Sequence, residues 1–424
     1  MSRVGSREVT PLPTNTHRRH YVLAVLLVLL LIGARLPVLN HPSPVHSDES
    51  EFLAAIGFPT QYPVHHPGYP AWVALGTLGT RIGFEPYAAY QLWSVIASAV
   101  APVLLYLGLR KLIHDATAWW LALAFGVNPL VWFTAATALN YVAGVVFGLV
   151  IVGACWQANR TRRPGIHFLA VITLAFALFL RPDLLLWLGP MVVFTAWRFK
   201  WGHRIVACVG ITLAFAALFA LVSWLHGRDG GAQSGPKLSH TADVVFGTSI
   251  FRLGLKDGFA RSLLKFCANL TWDFGLSSFL IVAAVVRWKH VRQRWPGTST
   301  FLLLWVVPIS GFVLLVHMSE PGHIMLLIPA GYCVMGLGLT ATASTRTATR
   351  LAAAAAICSV AQFTLYPWSP ESTGYKRTID AKISYMSASG LRQIDRRAEI
   401  HTPGDYWSTQ AHRPATRPAR PERE

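Results

Sequence analysis

The sequence predicts an all-α polytopic membrane protein, a transmembrane helix bundle of about eleven spans with extracytoplasmic loops. Three observations carry this. The 424 residues are 53% hydrophobic and only 13% charged, a balance outside that of soluble domains. The apolar residues are gathered into long runs, and the first, residues 21 to 39, is long enough for a hydrocarbon core of roughly 30 Å. Lys and Arg punctuate the ends of alternate runs, which is how a membrane protein sets its orientation. A net charge of +18 on a soluble module would suggest nucleic acid, but that requires basic residues clustered on one face. Here they are spread along the chain between apolar runs, so the partner they imply is a membrane and nucleic acid is excluded.

Taken in order, residues 1 to 20 form a basic N-terminus with Arg3, Arg7, Arg18 and Arg19. The run that follows exceeds a signal-peptide core and has no small-residue cleavage site, so an uncleaved anchor is expected. With the N-terminus in the cytoplasm, spans fall near 21 to 39, 88 to 109, 116 to 136, 138 to 158, 166 to 180, 184 to 197, 205 to 225, 270 to 286, 299 to 316, 323 to 340 and 351 to 366. The inward turns then hold Arg110, Lys111, Arg160, Arg162, Arg163, Arg198, Lys200, Arg204, Arg287, Lys289, Arg292, Arg294, Arg346 and Arg350. The short outward segments keep Arg35, Arg81 and Arg181, as the positive-inside rule requires. The stretch 166 to 197 is also compatible with a re-entrant pair whose tip is Arg181, Pro182 and Asp183.

The acids were not used to draw this topology and so bear on it independently. Of the 19 Asp and Glu, only Glu8 and Asp115 fall inside, leaving 17 outside or at the outer boundary. Three outward regions are large: residues 40 to 87, 226 to 269, and a tail from 367 to 424. In the second, Phe251, Leu255, Phe259, Leu263 and Phe266 recur at helical spacing, which predicts a helix lying on the outer membrane surface. The tail predicts a short helix near 379 to 399 and then disorder, from its proline and charge content. Cys155, Cys208, Cys267, Cys333 and Cys358 lie in or beside apolar runs, without CxxC spacing, and imply neither a disulfide framework nor a metal cluster. Trp72, Trp93, Trp119, Trp120, Trp132 and Trp187 are expected in interfacial belts.

The first outer loop concentrates reactive groups. Asp48, Glu49 and Glu51 follow His46 within the string HSDESEF. On a helix from 48 to 57, Asp48 and Glu51 share a face, while Phe52 and Ile56 rest on the membrane. Crowded carboxylates repel, which prepares one of them as a base. The alternative is a capping box, in which Ser47 or Asp48 only closes the helix N-terminus. A metal on His46, Asp48, Glu49 and His66 fits by ligand type, but the spacing matches no compact metal motif, and no cofactor is expected. Arg181 stands between two short apolar spans, where a charge is costly and marks either function or a snorkelling side chain paired with Asp183. His65 and His66, before a proline turn, either bind phosphate or only order the backbone. Glu320 and His323 share a short outer turn that either joins the same cavity or is simply solvated.

The string Asp48, Glu51, Phe52, then His66, Pro67, Gly68, Tyr69 and Pro70 resembles the first extracytoplasmic loop of the GT-C glycosyltransferases. These include the protein O-mannosyltransferases and the lipid A aminoarabinose transferases. The resemblance is specific over residues 46 to 112 and more diffuse in NPLVWFTAATALNYV, LRPDLLLWLGP and EPGHIMLLIPA. It departs from the family in the single proline after His66 and in Asn140, where many relatives carry a glutamate before the tyrosine. The resemblance implies a GT-C-like transmembrane domain over residues 21 to 366. It also implies a hexosyl or pentosyl transferase, with a polyprenyl-phosphate sugar as donor and a hydroxyl on a lipid, glycan or protein as acceptor. Asp48 would be the general base of an inverting transfer, beside Glu49 and Glu51. His65, His66, Tyr69, Asn140, Arg181, Glu320 and His323 would hold the lipid phosphate or the sugar. The readings that compete are a secondary transporter or lipid flippase, which would place ionisable groups inside its spans, and a catalytically degenerate assembly subunit. The expected location is the plasma membrane.

Overall fold

In a computed structural model, the described residues are 15 to 39, 47 to 57, 64, 68 to 227, 245 to 247, 249 to 318, 321 to 366 and 387 to 388. His46, His65, His66, Glu320, the start of the second outer loop and nearly all of the tail lie outside them. Every regular element among the described residues is helical.

Helix α1 (Asn15–Arg35) carries the first apolar run, and α2 (Ser47–Gly57) and α3 (Pro70–Arg81) build the first outer loop. Then come α4 (Pro86–Leu109), α5 (Asp115–Gly126), α6 (Pro129–Ala135), α7 (Tyr141–Thr161), α8 (Pro164–Leu178), α9 (Leu184–Ala196) and α10 (Trp201–Gly227). After the second loop follow α11 (Ile250–Phe274), α12 (Ser277–Val286), α13 (Trp288–Arg294), α14 (Thr298–Leu315), α15 (Leu327–Thr342) and α16 (Thr345–Leu365). Proline opens α3, α4, α6 and α8, the helix position where its missing N–H costs nothing.

The chain is a multi-pass membrane protein. Five helices are long and apolar enough to cross a membrane, and seven spans result if the bent pairs α5 with α6 and α11 with α12 each count as one. α8, α9 and α15 are apolar but shorter, so the eleven expected crossings are not all carried by full-length helices.

Both bends have local causes. Between α5 and α6 the axis turns by 57° at Asn128, whose Oδ1 accepts from the N–H groups of Leu130 and Val131 at 3.1 and 3.4 Å and starts a new helix. The Asn128 amide also donates to the carbonyl of Asp273 at 2.6 Å, joining the two breaks. Between α11 and α12 the turn is 108°, through Gly275 at φ 48°, a conformation that favours glycine. Gln362 of α16 donates to the Trp272 carbonyl there.

Several placements differ from expectation. Phe52 is buried against Tyr69 and Tyr90, with ring centroids 5.7 and 5.9 Å away, and does not rest on lipid. Trp72, Trp132 and Trp187 are buried inside the bundle rather than in an interfacial belt. Arg35 is fully buried and does not belong to an outward segment. α11 leaves Phe251, Leu255, Leu263 and Leu264 exposed and Phe259 and Phe266 half-buried, and its helical geometry breaks at Gly254, where φ is 80°.

Candidate functional site at the acidic end of the bundle

α2 stands over the junction of α4 with the turn that precedes α7. Glu49 is fully buried and accepts from the Tyr87 hydroxyl at 2.7 Å and from the Ala138 N–H at 2.9 Å. Two strong acceptor bonds of this kind hold a buried carboxylate in place. Asp48 and Glu51, on either side of it, remain half-buried. Of the three acids, one therefore anchors the helix while the other two keep access to the surroundings. The Tyr90 hydroxyl donates to the Phe52 carbonyl at 3.1 Å, and the Trp72 indole donates to the Ala138 carbonyl at 2.9 Å. Residue 138 is thus gripped from both sides, by α2 and by α3.

Two residues beyond Ala138 the same turn reaches Arg181. The Asn140 amide donates to the Leu180 carbonyl at 2.9 Å, and its Oδ1 accepts from Arg181 at 3.3 Å. Arg181 is buried, so it is not a snorkelling arginine. Its Nε donates to Asp183 at 3.1 Å, and a second guanidinium N–H bonds the other carboxylate oxygen. Burial by itself would lower its pKa. The charge and hydrogen bonds of Asp183 outweigh that and hold it above its ordinary value, so it is cationic at any physiological pH. The guanidinium lies over the Tyr141 ring at 4.4 Å and near that of Trp187 at 5.6 Å, a desolvated cation–π arrangement.

Tyr69 belongs to the same cluster. The Ala71 N–H donates to the Phe179 carbonyl at 3.0 Å, which ties the start of α3, next to Tyr69, to the end of α8, two residues before Arg181. His323 stands edge-on to Tyr141 at 6.0 Å and to His317 at 5.2 Å. Lys265 of α11 donates to the Met318 carbonyl at 3.1 Å, bringing a further cation to this turn. A cleft here is lined by Tyr141, Gly144, Arg181, Trp187, Gly322 and Met325 among others. The Trp187 indole N–H is buried without a hydrogen-bond partner among the described residues. Gly322 is required by closeness: a Cβ there would fall 2.4 Å from the Tyr141 ring.

The fold therefore ties Glu49, Asn140, Arg181 and His323 to the start of α7, with Tyr69 at the start of α3 beside it and Asp48 and Glu51 flanking Glu49 on α2. Lys265 and His317 join them without having been expected, since a lysine on an amphipathic helix and a histidine before a loop carry no spacing signal. Asp273 was counted among the outer acids. It is fully buried, and neither carboxylate oxygen has a hydrogen-bond partner among the described residues. No group of three His, Cys, Asp or Glu able to hold a metal occurs among the described residues.

The chain shares the overall fold of a solved class of multi-pass membrane proteins. Its neighbours among solved structures include ArnT from Cupriavidus metallidurans in the apo state, with a TM-score of 0.54 at 15% identity over 90% of this chain and 76% of that one. ArnT bound to undecaprenyl phosphate gives 0.51 at 14% identity over 94% and 80%. The Archaeoglobus fulgidus oligosaccharyltransferase in complex with Zn and sulfate gives 0.45 at 12% identity, over 87% of this chain and 53% of that one. The likeness is one of fold. No protein-family model and no curated protein matches the sequence.

Proposed function

We propose that this protein is a membrane glycosyltransferase that moves a sugar from a polyprenyl-phosphate carrier to an acceptor hydroxyl at the extracytoplasmic face. The observation that carries the reading is the linkage Glu49 to Ala138 and Asn140 to Arg181, which sets a carboxylate helix and a buried cation on one short turn. The ArnT neighbour, solved with undecaprenyl phosphate, supports the carrier lipid.

In this reading Asp48 accepts the proton of the acceptor hydroxyl as its oxygen attacks the anomeric carbon from the face opposite the phosphate. The bond from that carbon to the phosphate oxygen breaks, and the carrier phosphate leaves with the electron pair, so the anomeric centre inverts. Glu49, spent on Tyr87 and Ala138, positions Asp48 rather than moving a proton. Arg181 faces the leaving phosphate. Three of its five N–H groups are engaged by Asp183 and Asn140, and with the Trp187 indole N–H it offers fixed donors in a cleft shielded from water. Fixed dipoles of this kind stabilise developing negative charge more than mobile water does.

The test is reconstitution of the purified protein with a panel of polyprenyl-phosphate sugars and measurement of released carrier phosphate. Asp48→Asn is expected to lower release by about 10²–10⁴-fold, the range for a general base. Equal release by wild type and variant would overturn the base assignment. Absence of release from every sugar by wild type would overturn the transferase itself.

A further inference from the structure

The end of the bundle opposite the acidic helix holds a second cleft that sugar transfer does not use. Helix α7 starts at Tyr141 in the Arg181 cluster and reaches Asn159 after 18 residues, ~27 Å along its axis. Three segments meet there: the last turns of α7 with Trp156, Asn159 and Arg160, the turn after α4 with Lys111 and Leu112, and the turn between α13 and α14 with Arg294, Trp295, Pro296 and Gly297. They line an open-sided cleft of about 320 Å³, with Lys111, Arg160 and Arg294 exposed along it, at the lower end of the roughly 300–1,000 Å³ of small-molecule sites.

The lining holds three cations and no carboxylate. Asp115, the described acid nearest in sequence to Lys111, is taken by the Tyr106 hydroxyl at 2.8 Å and by His20 at 3.3 Å. Like charges lining one cleft repel, and a bound anion relieves that repulsion. The cleft is also rigid. Arg294 donates to the Thr340 carbonyl at 2.9 Å while lying over the Trp295 ring at 5.0 Å. Trp156 is braced edge-on by Phe301 at 5.1 Å. Gly297 turns the chain at φ 86°, which a residue with a side chain would resist. The Asn159 Oδ1 atom is buried without a hydrogen-bond partner among the described residues, an acceptor waiting for a donor. Basic residues at span ends set orientation, but orientation requires neither a cleft lined from three segments nor a guanidinium stacked on an indole.

We propose that this cleft is a binding site for a phosphate ester, with the phosphate between Lys111, Arg160 and Arg294 and a ligand hydroxyl donating to Asn159 Oδ1. A phospholipid headgroup and a soluble phosphate share this chemistry. Basic sites between transmembrane helices beside tryptophan suit the first.

The experiment uses the full chain in phosphatidylcholine nanodiscs and reads the thermal unfolding midpoint and indole fluorescence. One arm adds phosphatidylglycerol as a minor disc component, and the other adds inorganic phosphate to the buffer. A saturable rise in midpoint with quenching is expected in one arm, and which arm responds identifies the source. The Arg160→Gln/Arg294→Gln double variant is expected to lose at least about tenfold in apparent affinity. Lys200→Gln/Arg346→Gln, which removes the same charge outside the cleft, is expected to leave it unchanged. Should the double variant not fold, Asn159→Leu, which removes the acceptor of the ligand hydroxyl at similar volume, is expected to weaken phospholipid binding and to leave inorganic phosphate, which needs no such acceptor, unchanged. No response in either arm, or equal loss in the control variant, would overturn the site.

Discussion

Among the described residues two arginines are buried, Arg35 and Arg181, and the contrast between them separates structure from chemistry. Arg35 meets only carbonyls: those of Leu31 at 2.6 Å, Gly126 at 2.8 Å and Ser98 at 3.4 Å. Each has a reason to need it. Pro102 lies inside α4 and, having no N–H, leaves the Ser98 carbonyl one turn earlier without its helical donor. Gly126 ends α5 just before the bend, where helix carbonyls are orphaned. Leu31 lies in the last turn of the helix that carries Arg35, where a cation complements the helix dipole. Arg181 instead meets a carboxylate, an amide and two aromatic faces, and it lines a cleft. A buried cation consumed by backbone acceptors is a joint between helices. One that meets a single carboxylate and lines a cleft is the one our proposal assigns to the leaving phosphate.

The largest effect expected from breaking this comparison is on turnover. Arg181→Met should lower carrier-phosphate release by about 10²–10³-fold, as for loss of one preorganised donor. Arg181→Lys should fall between, because it keeps the charge and loses the fork. If Arg181→Met changed only the unfolding midpoint, Arg181 would be a joint like Arg35. Next in size is Arg35→Met, which strands the Ser98 and Gly126 carbonyls. It should cost about 2–6 kcal/mol of stability, at roughly 1–3 kcal/mol for each of the two buried unsatisfied groups. Its folded fraction, measured by thermal unfolding in detergent alongside release, should turn over normally. Smallest is Pro102→Ala in the Arg35→Met background. Restoring an N–H to the Ser98 carbonyl should recover about 1 kcal/mol, read as non-additivity in a double-mutant cycle. Additive losses would detach Arg35 from Pro102.

Much of the acidic end was legible in the sequence, because its signals are local. The helix expected from 48 to 57 is α2, since an acidic first turn followed by Phe52, Leu53 and Ile56 is a helix-start pattern. Arg181 and Asp183 are two residues apart, so their pairing was open to view as one of two readings. The tryptophans were misplaced because hydropathy reports that a residue avoids water, not whether it meets lipid or another helix, and both neighbours are equally apolar. Asp273 falls near the outer end of the span expected at 270 to 286, and its backbone carbonyl is held by Asn128, 145 residues away, a contact that sequence spacing does not show.

What the sequence by itself determined is therefore the membrane class, the positions of the apolar helices and the stretch on which the acids fall. Each depends on transfer free energy or on neighbours within a turn or two. Only the tertiary structure decided which acid anchors and which remains accessible, which arginine is a joint, and that three cations from distant segments line one cleft. Those outcomes rest on hydrogen bonds and contacts between residues far apart in sequence, and in a bundle whose lipid and protein surroundings are alike, packing geometry alone selects among them.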